Sequence, residues 1–546
     1  LPAYLPTCRW FGGKARPIRA VKNVDVVPFS LEALEAYVTT WEVQYLGGSL
    51  ETYFLPLGFA TGGHAAQIRQ ANPQAVIARL KVKADNRQNE GILYDCLYDA
   101  KFSAALLDSF SRGRRFKGAA AEVHVAPSAS FRTVRGANEA GLEPSILKRD
   151  QSNTSILYGD RLILKMFRRV TDGVNPELEI GRFLTEKTSF AYSPPLAGFL
   201  ELRKGRSEPA TLGILQGWVA NECDAWRYTL DSLDHYFEKI LTAPRDTQSP
   251  VFPEERPLQL VDQEIPPVAR DFIGAYLSSI ALLGRRTGEM HTALASGEKD
   301  PSFAPEPFTA LYRRSLYQSM RAHTEQSFGL LQKRLRALPD ETRLRAEKLL
   351  KLKSEILNRF RRVMERKITG LRIRCHGDYH LGQVLFTGKD FYIIDFEGEP
   401  ARPISERRLK RSTLRDVAGM LRSLDYAVTS KLRASGLRAE EATLLKPWAR
   451  FWNLWVSVAF FQGYFEATQR AVFLPASREE LGLLLDALLL EKSVYELGYE
   501  LNNRPDWVGV PIEGILELLN AADEARSFSI ARDAAEGAGG NLPARN

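Results

Sequence analysis

The chain has 546 residues, 44% apolar and 26% charged, with 74 Lys and Arg against 66 Asp and Glu for a net charge of +8. That length exceeds one ordinary core and predicts two or three domains of a globular protein. No run of about 18 uncharged apolar residues occurs, which argues against a membrane span. Leu1-Pro2-Ala3-Tyr4 shows neither part of a signal peptide, and the missing initiator Met predicts a piece of a longer polypeptide. Cys8, Cys96, Cys223 and Cys375 are far apart in no metal spacing, as expected of reduced thiols in a cytoplasmic protein. Lys and Arg are scattered and no zinc-finger or RNP-type motif appears, so phosphate-bearing small ligands suit the charge and nucleic acid is not expected.

The first hundred residues carry β-like runs at 24–27, 37–45 and 75–80, which predict a small half-buried sheet. Residues 91–107 read as an amphipathic helix and 112–118 as a basic turn. A second unit begins near Val123. It contains strand, Gly159-Asp160 turn and strand over 153–167, then a helix capped by Asn175 with Pro176 in its first turn, then a strand over 212–219. From about Asp224 the pattern is mainly helical. The Pro-rich stretch 249–267 reads as a surface insertion, 321–367 as two helices broken at Pro339-Asp340, and the tail from Arg532 as disordered.

The sharpest signal is Cys375-His376-Gly377-Asp378-Tyr379-His380-Leu381-Gly382-Gln383, followed by Tyr392-Ile393-Ile394-Asp395-Phe396-Glu397. The spacing predicts a loop–strand–turn–strand hairpin that turns Asp378 and Asp395 toward one point. Phosphoryl transfer needs such a pair: one carboxylate orients the attacking hydroxyl and another holds Mg²⁺ against the phosphates. The motif resembles the catalytic signature of kinase-like phosphotransferases, in the His-Gly-Asp form of aminoglycoside and choline kinases. Gln383 stands where most of these have Asn, and the maltokinases show this Gln.

That resemblance implies a nucleotide site upstream. Lys165 on strand 162–165 would reach the phosphates, held by an acid of the next helix, Glu179 or otherwise Glu177. Gln151, Ser152, Asn153, Thr154 and Ser155 stand where a phosphate-covering loop belongs. Residues 215–219, including Gln216 and Val219, would form the adenine hinge. Gln383 and Asp395 would hold Mg²⁺ and Asp378 would act on the acceptor. His376 and Asp416 would support the loop structurally, and His380 either orients Asp378 or caps the turn.

Similarity to maltokinases extends over most of the chain: Arg9-Trp10-Phe11-Gly12-Gly13-Lys14, 162–169, 175–186, 397–427 and 495–507. It implies an α+β, bilobal, protein-kinase-like (aminoglycoside phosphotransferase-like) fold with a small N-terminal α/β cap. The expected parts are a cap over 1–107, a nucleotide-binding lobe over 108–215, a helical lobe over 216–531 and a flexible tail over 532–546. The acceptor residues implied are His380, Arg422, Asp425, Tyr495, Glu496, Tyr499, Asn502, Arg504 and Trp507, since a sugar needs aromatic faces and polar groups for its hydroxyls. The family reading is ATP- and Mg²⁺-dependent phosphorylation of maltose to maltose 1-phosphate for α-glucan synthesis, with trehalose synthase as a fused or complexed partner. The alternatives are a kinase of the same fold for glucosamine or an aminoglycoside, and a nucleotide-binding pseudokinase scaffold.

Overall fold

The computed structural model describes residues 1–31, 34–84, 87–136, 142–147, 152–244, 250–434 and 436–520. The chain folds as two compact units. The first takes residues 1–222 and 392–409, and the second takes 223–391 and the chain from 410 onward.

The first unit holds two antiparallel sheets. Strands β1 (Ile18–Leu31), β2 (Leu34–Tyr45), β3 (Leu50–Thr61), β4 (Val76–Ala84) and β5 (Arg87–Asp95) lie in the order β1-β2-β3-β5-β4. The alternation that marked 24–27 is real: Asp25, Val27 and Phe29 are buried, while Val24 and Val26 face solvent. Helices α1 (Gly62–Ala71) and α2 (Ala100–Arg112) accompany this sheet. The second sheet is formed by β6 (Arg115–Lys117), β7 (Glu122–Pro127), β8 (Pro144–Ile146), β9 (Asn153–Tyr158), β10 (Leu162–Phe167), β12 (Leu196–Arg203) and β13 (Ala210–Gly217). Its order is β6-β7-β12-β13-β10-β9-β8, and the short β11 (Arg169–Val170) instead pairs with β3. Helices α3 (Phe131–Arg135) and α4 (Pro176–Lys187) complete this part, and the returning segment adds α11 (Ile404–Arg407).

Two expectations are corrected here. Residues 91–95 belong to β5, and the helix starts only at Ala100, where Asp99 accepts from Lys101 N at 2.9 Å. The helical spacing is genuine for Phe102, Leu106 and Phe110, but Ile92 and Tyr94 bury on the period of a strand. The basic turn at 112–118 narrows to Gly113, and Arg115–Lys117 pairs with β7.

A single apolar core joins both sheets, with Phe29, Phe102 and Phe110 from one side and Val125, Tyr158, Leu164 and Leu200 from the other. The boundary expected at residue 107 therefore runs through one continuous core. A buried ion pair crosses the same junction. Arg168 donates to Asp95 at 2.6 Å and to Thr154 Oγ1 at 2.8 Å, and neither charged side chain is exposed.

The second unit is mainly helical, with short strands at 223–224, 306–307, 371–372 and 384–386: α5 (Ala225–Thr242), α6 (Pro267–Ile273), α7 (Tyr276–Ala295), α8 (Ala310–Arg334), α9 (Asp340–Lys351), α10 (Lys353–Glu365), α12 (Leu414–Ala434), α13 (Ala439–Ala467) and α14 (Arg478–Asn503). The charged stretch 321–367 spans three helices rather than two, with a second break at Leu352. The Pro-rich insertion is not merely superficial. Leu260 and Val261 are buried, and Arg256 reaches Asp486 at 2.7 Å. The tail from 532 lies outside the described residues. No helix among the described residues is long and apolar enough to cross a membrane.

Arg168→Met should leave Asp95 as a buried charge without its partner. The expected loss is about 3–5 kcal/mol in urea denaturation. A loss under about 1 kcal/mol would show that the pair is not needed to join the sheets.

Candidate functional site

In β10 the apolar residues Leu162, Leu164 and Met166 enter the large core, so Lys165 falls on the opposite face. Helix α4 follows. Asn175 caps it by accepting from Glu177 N at 2.9 Å, and Pro176 occupies the first turn, as the sequence predicts. Lys165 Nζ meets three carboxylates of the first unit: Glu177 at 2.8 Å, Glu397 at 2.7 Å, and Asp395 in close contact. Asn153 Nδ2 donates to Glu397 at 3.1 Å.

Burial works against the Lys165 charge, but Asp395, Glu177 and Glu397 hold its pKa well above the ordinary lysine range. Burial pushes Glu177 up to about 8, although Lys165 pulls it down. One ammonium faces three acids, and oxygens of Glu177, Asp395 and Glu397 lie within 4.8 Å of one another. Such a hard-oxygen donor set fits Mg²⁺. Asp395 has φ +67°, the only positive φ of a non-glycine residue among those described. Asp tolerates that conformation better than most residues, and such strain concentrates at functional positions.

The partner of Lys165 is thus Glu177, the alternative acid, and not Glu179. The two are separated by about 200° around α4. Glu177 is turned inward at 2% exposure, whereas Glu179 is held by Arg408 at 3.1 Å. The proposed phosphate loop also divides. Ser155 pairs with Lys165 across the ladder and shares its face, and Asn153 lies two residues away on that face. Thr154 takes the opposite face, where its hydroxyl accepts from Arg168. Ser152 is exposed, and Gln151 lies outside the described residues. In the expected hinge, Gln216 is buried in β13, and the Val219 carbonyl accepts from Asn221 Nδ2 at 2.9 Å.

The second unit carries the His-Gly-Asp loop. Asp416, in the first turn of α12, accepts from His376 N at 2.8 Å, Gly377 N at 2.9 Å and His291 Nε2 at 3.1 Å. Burial pushes its carboxyl up, but His291, His376 and the Gly377 N–H bring it below the ordinary range. Gly377 has φ +87°, which a side chain would strain, and a Cβ on Gly419 would lie 2.5 Å from the Tyr379 carbonyl. The loop is therefore fastened along α12. His380 accepts from Gly382 N at 3.1 Å and so caps the turn that carries Gln383. Asp378 is half-buried, with Lys492 Nζ at 3.6 Å.

The implied acceptor residues fall into two sets. Glu496 is buried and held by Arg422 at 2.7 Å, and Arg422 also donates to Asp425 at 2.6 Å. Glu500 is held by Arg504 at 2.6 Å and by Tyr426 at 3.3 Å. Both glutamates are thus committed to ion pairs. Tyr495 lies beneath Lys492 Nζ at 5.1 Å, which groups it with Asp378. Tyr499 and Asn502 are exposed, and Trp507 stacks with Arg504. Val494, Leu497 and Leu501 form the buried stripe that the helix pattern requires.

Sequence reasoning passed over Lys492, His291 and the contact made by Glu397. Lys492 sits one turn before Tyr495 and Glu496, a signal that helical spacing could have supplied. His291 is remote in sequence from Asp416, and nothing local announces the pair.

Residues 4–99 match the family described as the maltokinase N-terminal cap domain. A glucosamine kinase of Streptacidiphilus jiangxiensis is 24% identical over 383 residues, covering 68% of this chain and 72% of that one. A glucosamine kinase of Mycolicibacterium smegmatis is 29% identical over 149 residues, 27% of this chain and 34% of that one. Among solved structures, a glucosamine kinase in complex with glucosamine, ADP and inorganic phosphate aligns with TM-score 0.59 at 18% identity, covering 95% of this chain and 99% of that one. Residues 4–99 thus match a maltokinase-type cap, and the chain shares the kinase-like fold of that solved structure.

The raised pKa of Glu177 has a consequence for stability. The folded chain keeps a proton that the unfolded chain releases between pH about 4.5 and about 8. Its stabilising contribution is full below that window and is lost as pH rises through it. Glu177→Gln should flatten the fall in urea midpoint between pH 5 and pH 8. Parallel falls in both proteins would refute the assignment.

Proposed function

We propose that this protein transfers the terminal phosphoryl group of ATP to the anomeric hydroxyl of maltose, giving maltose 1-phosphate. The observation that carries the phosphotransfer reading is Lys165 set among Glu177, Asp395 and Glu397, with Asp395 in a strained backbone conformation. A lysine held by a helix acid is what the nucleotide phosphates require. In this reading Lys165 binds those phosphates and Glu177 orients it. Asp395 and Gln383 hold Mg²⁺, which would neutralise charge on the phosphates, and Glu397 stands close enough to assist. Asp378 orients the sugar hydroxyl and accepts its proton. Asp416 acts only through the loop it fastens.

Maltose as acceptor is supported by the cap-domain match and by the state of the carboxylates. An amino sugar brings an ammonium that needs a free acid. Glu496, Glu500 and Asp425 are each paired with an arginine, which favours a neutral sugar. Glucosamine is the second reading, because the curated relatives are glucosamine kinases. A cytoplasmic setting and a link to trehalose synthase, fused or complexed, belong to the maltose reading and feed α-glucan synthesis. A pseudokinase scaffold fits poorly, since Lys165, Glu177, Asp378 and Asp395 are all present.

ADP release with Mg-ATP, measured side by side on maltose, glucose, trehalose, glucosamine and kanamycin, tests the acceptor. Turnover should favour maltose; preference for glucosamine would keep the kinase and discard the maltose assignment. Asp378→Asn should lower turnover by at least about 10²-fold, with ADP affinity little changed. Full turnover in that variant would remove Asp378 from its role. Glu177→Gln should lower turnover more than Glu179→Gln, and equal effects would contradict the pairing with Lys165.

A further inference from the structure

Lys165 cannot serve nucleotide phosphates and three carboxylates at once, because all of these oxygens compete for the N–H groups of one ammonium. Glu177 is the helix acid that keeps the lysine oriented, and Asp395 is assigned to the metal in the same reading. Glu397 is the remaining competitor, and it lies between two cations of the first unit. Its Oε1 meets Lys165 Nζ at 2.7 Å and accepts from Asn153 Nδ2 at 3.1 Å, while its Oε2 faces Arg407 Nη1 at 4.0 Å.

Arg407 stands ready for that carboxylate without being paired to it. Residues 402–408 carry three arginines. Arg402 is held by Glu399 at 2.6 Å, and Arg408 by Glu208 at 2.8 Å and Glu179 at 3.1 Å. Among the described residues, the carboxylate nearest to Arg407 is that of Glu397, still 4.0 Å away. The Arg407 side chain is only 9% exposed, and its Nε is buried without a hydrogen-bond partner. Burial holds its pKa below the ordinary arginine range, although Glu397 pulls it up, and Arg169 adds to the lowering. Of the three guanidinium groups it is therefore the least compensated. Its Nη1 donates to the Glu397 backbone carbonyl at 3.0 Å, which keeps it beside that residue. Closing the 4.0 Å gap to a charge-assisted bond of about 2.8 Å needs a shift of only about 1 Å.

We propose that Arg407 is a nucleotide-positioning residue, which takes over the Glu397 carboxylate when nucleotide phosphates draw Lys165 away from it. The exchange leaves no buried carboxylate without a cation, so the phosphates gain Lys165 free of that penalty. Arg407 acts through Glu397 and Lys165 and does not itself touch the phosphates. The proposal rests on the reading that Lys165 binds the nucleotide.

The test is a double-mutant cycle on Mg-ADP binding, measured by calorimetry on the full chain. Arg407→Met keeps the apolar stem and removes the charge. It should weaken Mg-ADP about tenfold, and in a Glu397→Gln background the same change should cost less than about twofold. Equal losses in the two backgrounds overturn the proposal, since the guanidinium would then act on the phosphates directly. Wild-type affinity in Arg407→Met overturns it as well. In turnover assays KM for ATP should rise in Arg407→Met and KM for the sugar should not, and Arg407→Lys should recover part of the loss. Equal rises in both KM values would mark a merely structural role and also overturn it. Circular dichroism checks that Arg407→Met folds; if it does not, Arg407→Lys runs through the same cycle under the same criteria, because its single shorter prong reaches Glu397 less well. Failure of the kinase reading would appear separately, as no Mg-ADP binding to the unaltered chain.

Discussion

One ammonium among three carboxylates organises the first unit. Lys165 by itself cannot neutralise Glu177, Asp395 and Glu397 together, and Arg407 Nη1 approaches Glu397 at 4.0 Å from the other side. The shift of Glu177 toward neutrality is the protein's own response. Each member arrives by a different route. A strand presents the lysine, a capped helix N-terminus presents Glu177, and a segment returning from far along the chain presents Asp395 and Glu397. Asn153 and Arg408 fix the periphery by holding Glu397 and Glu179.

The second unit solves a related problem with hydrogen bonds. The His-Gly-Asp loop is held without using the Asp378 carboxylate. Asp416 does so by accepting two backbone N–H groups of the loop, and His291 orients Asp416 from behind. Burial of that network leaves Asp378 partly accessible, with Lys492 Nζ at 3.6 Å. The same economy appears on α12 and α14, where arginines occupy Glu496 and Glu500.

The cap and the second sheet form one body rather than a domain and an appendage. Their aromatic residues share a core, and Arg168 ties Asp95 of the cap to Thr154 of β9. Since Asn153, next along β9, touches Glu397, the cap is mechanically continuous with the Lys165 cluster.

The local signals were legible in the chain itself. The Gly159-Asp160 turn and the strand after it placed Lys165, the Asn175-Pro176 cap placed the start of α4, and the His-Gly-Asp to Asp-Phe-Glu spacing marked both carboxylates, because these depend on contacts between near neighbours. The kinase-like fold followed from that motif through family resemblance. Other facts were set by long-range packing. The choice of Glu177 over Glu179 depends on which face of α4 meets β10, and both positions carry the same residue type in the same turn. Thr154 turns away from Lys165 because Arg168 claims its hydroxyl, and Arg168 is drawn there by Asp95, 73 residues earlier. Residues 91–95 became strand because β3 and β4 lie on either side to receive them. Sequence determined which residue types and local elements this protein has; tertiary structure decided which charges meet, because an ion pair is chosen by distance in space and not along the chain.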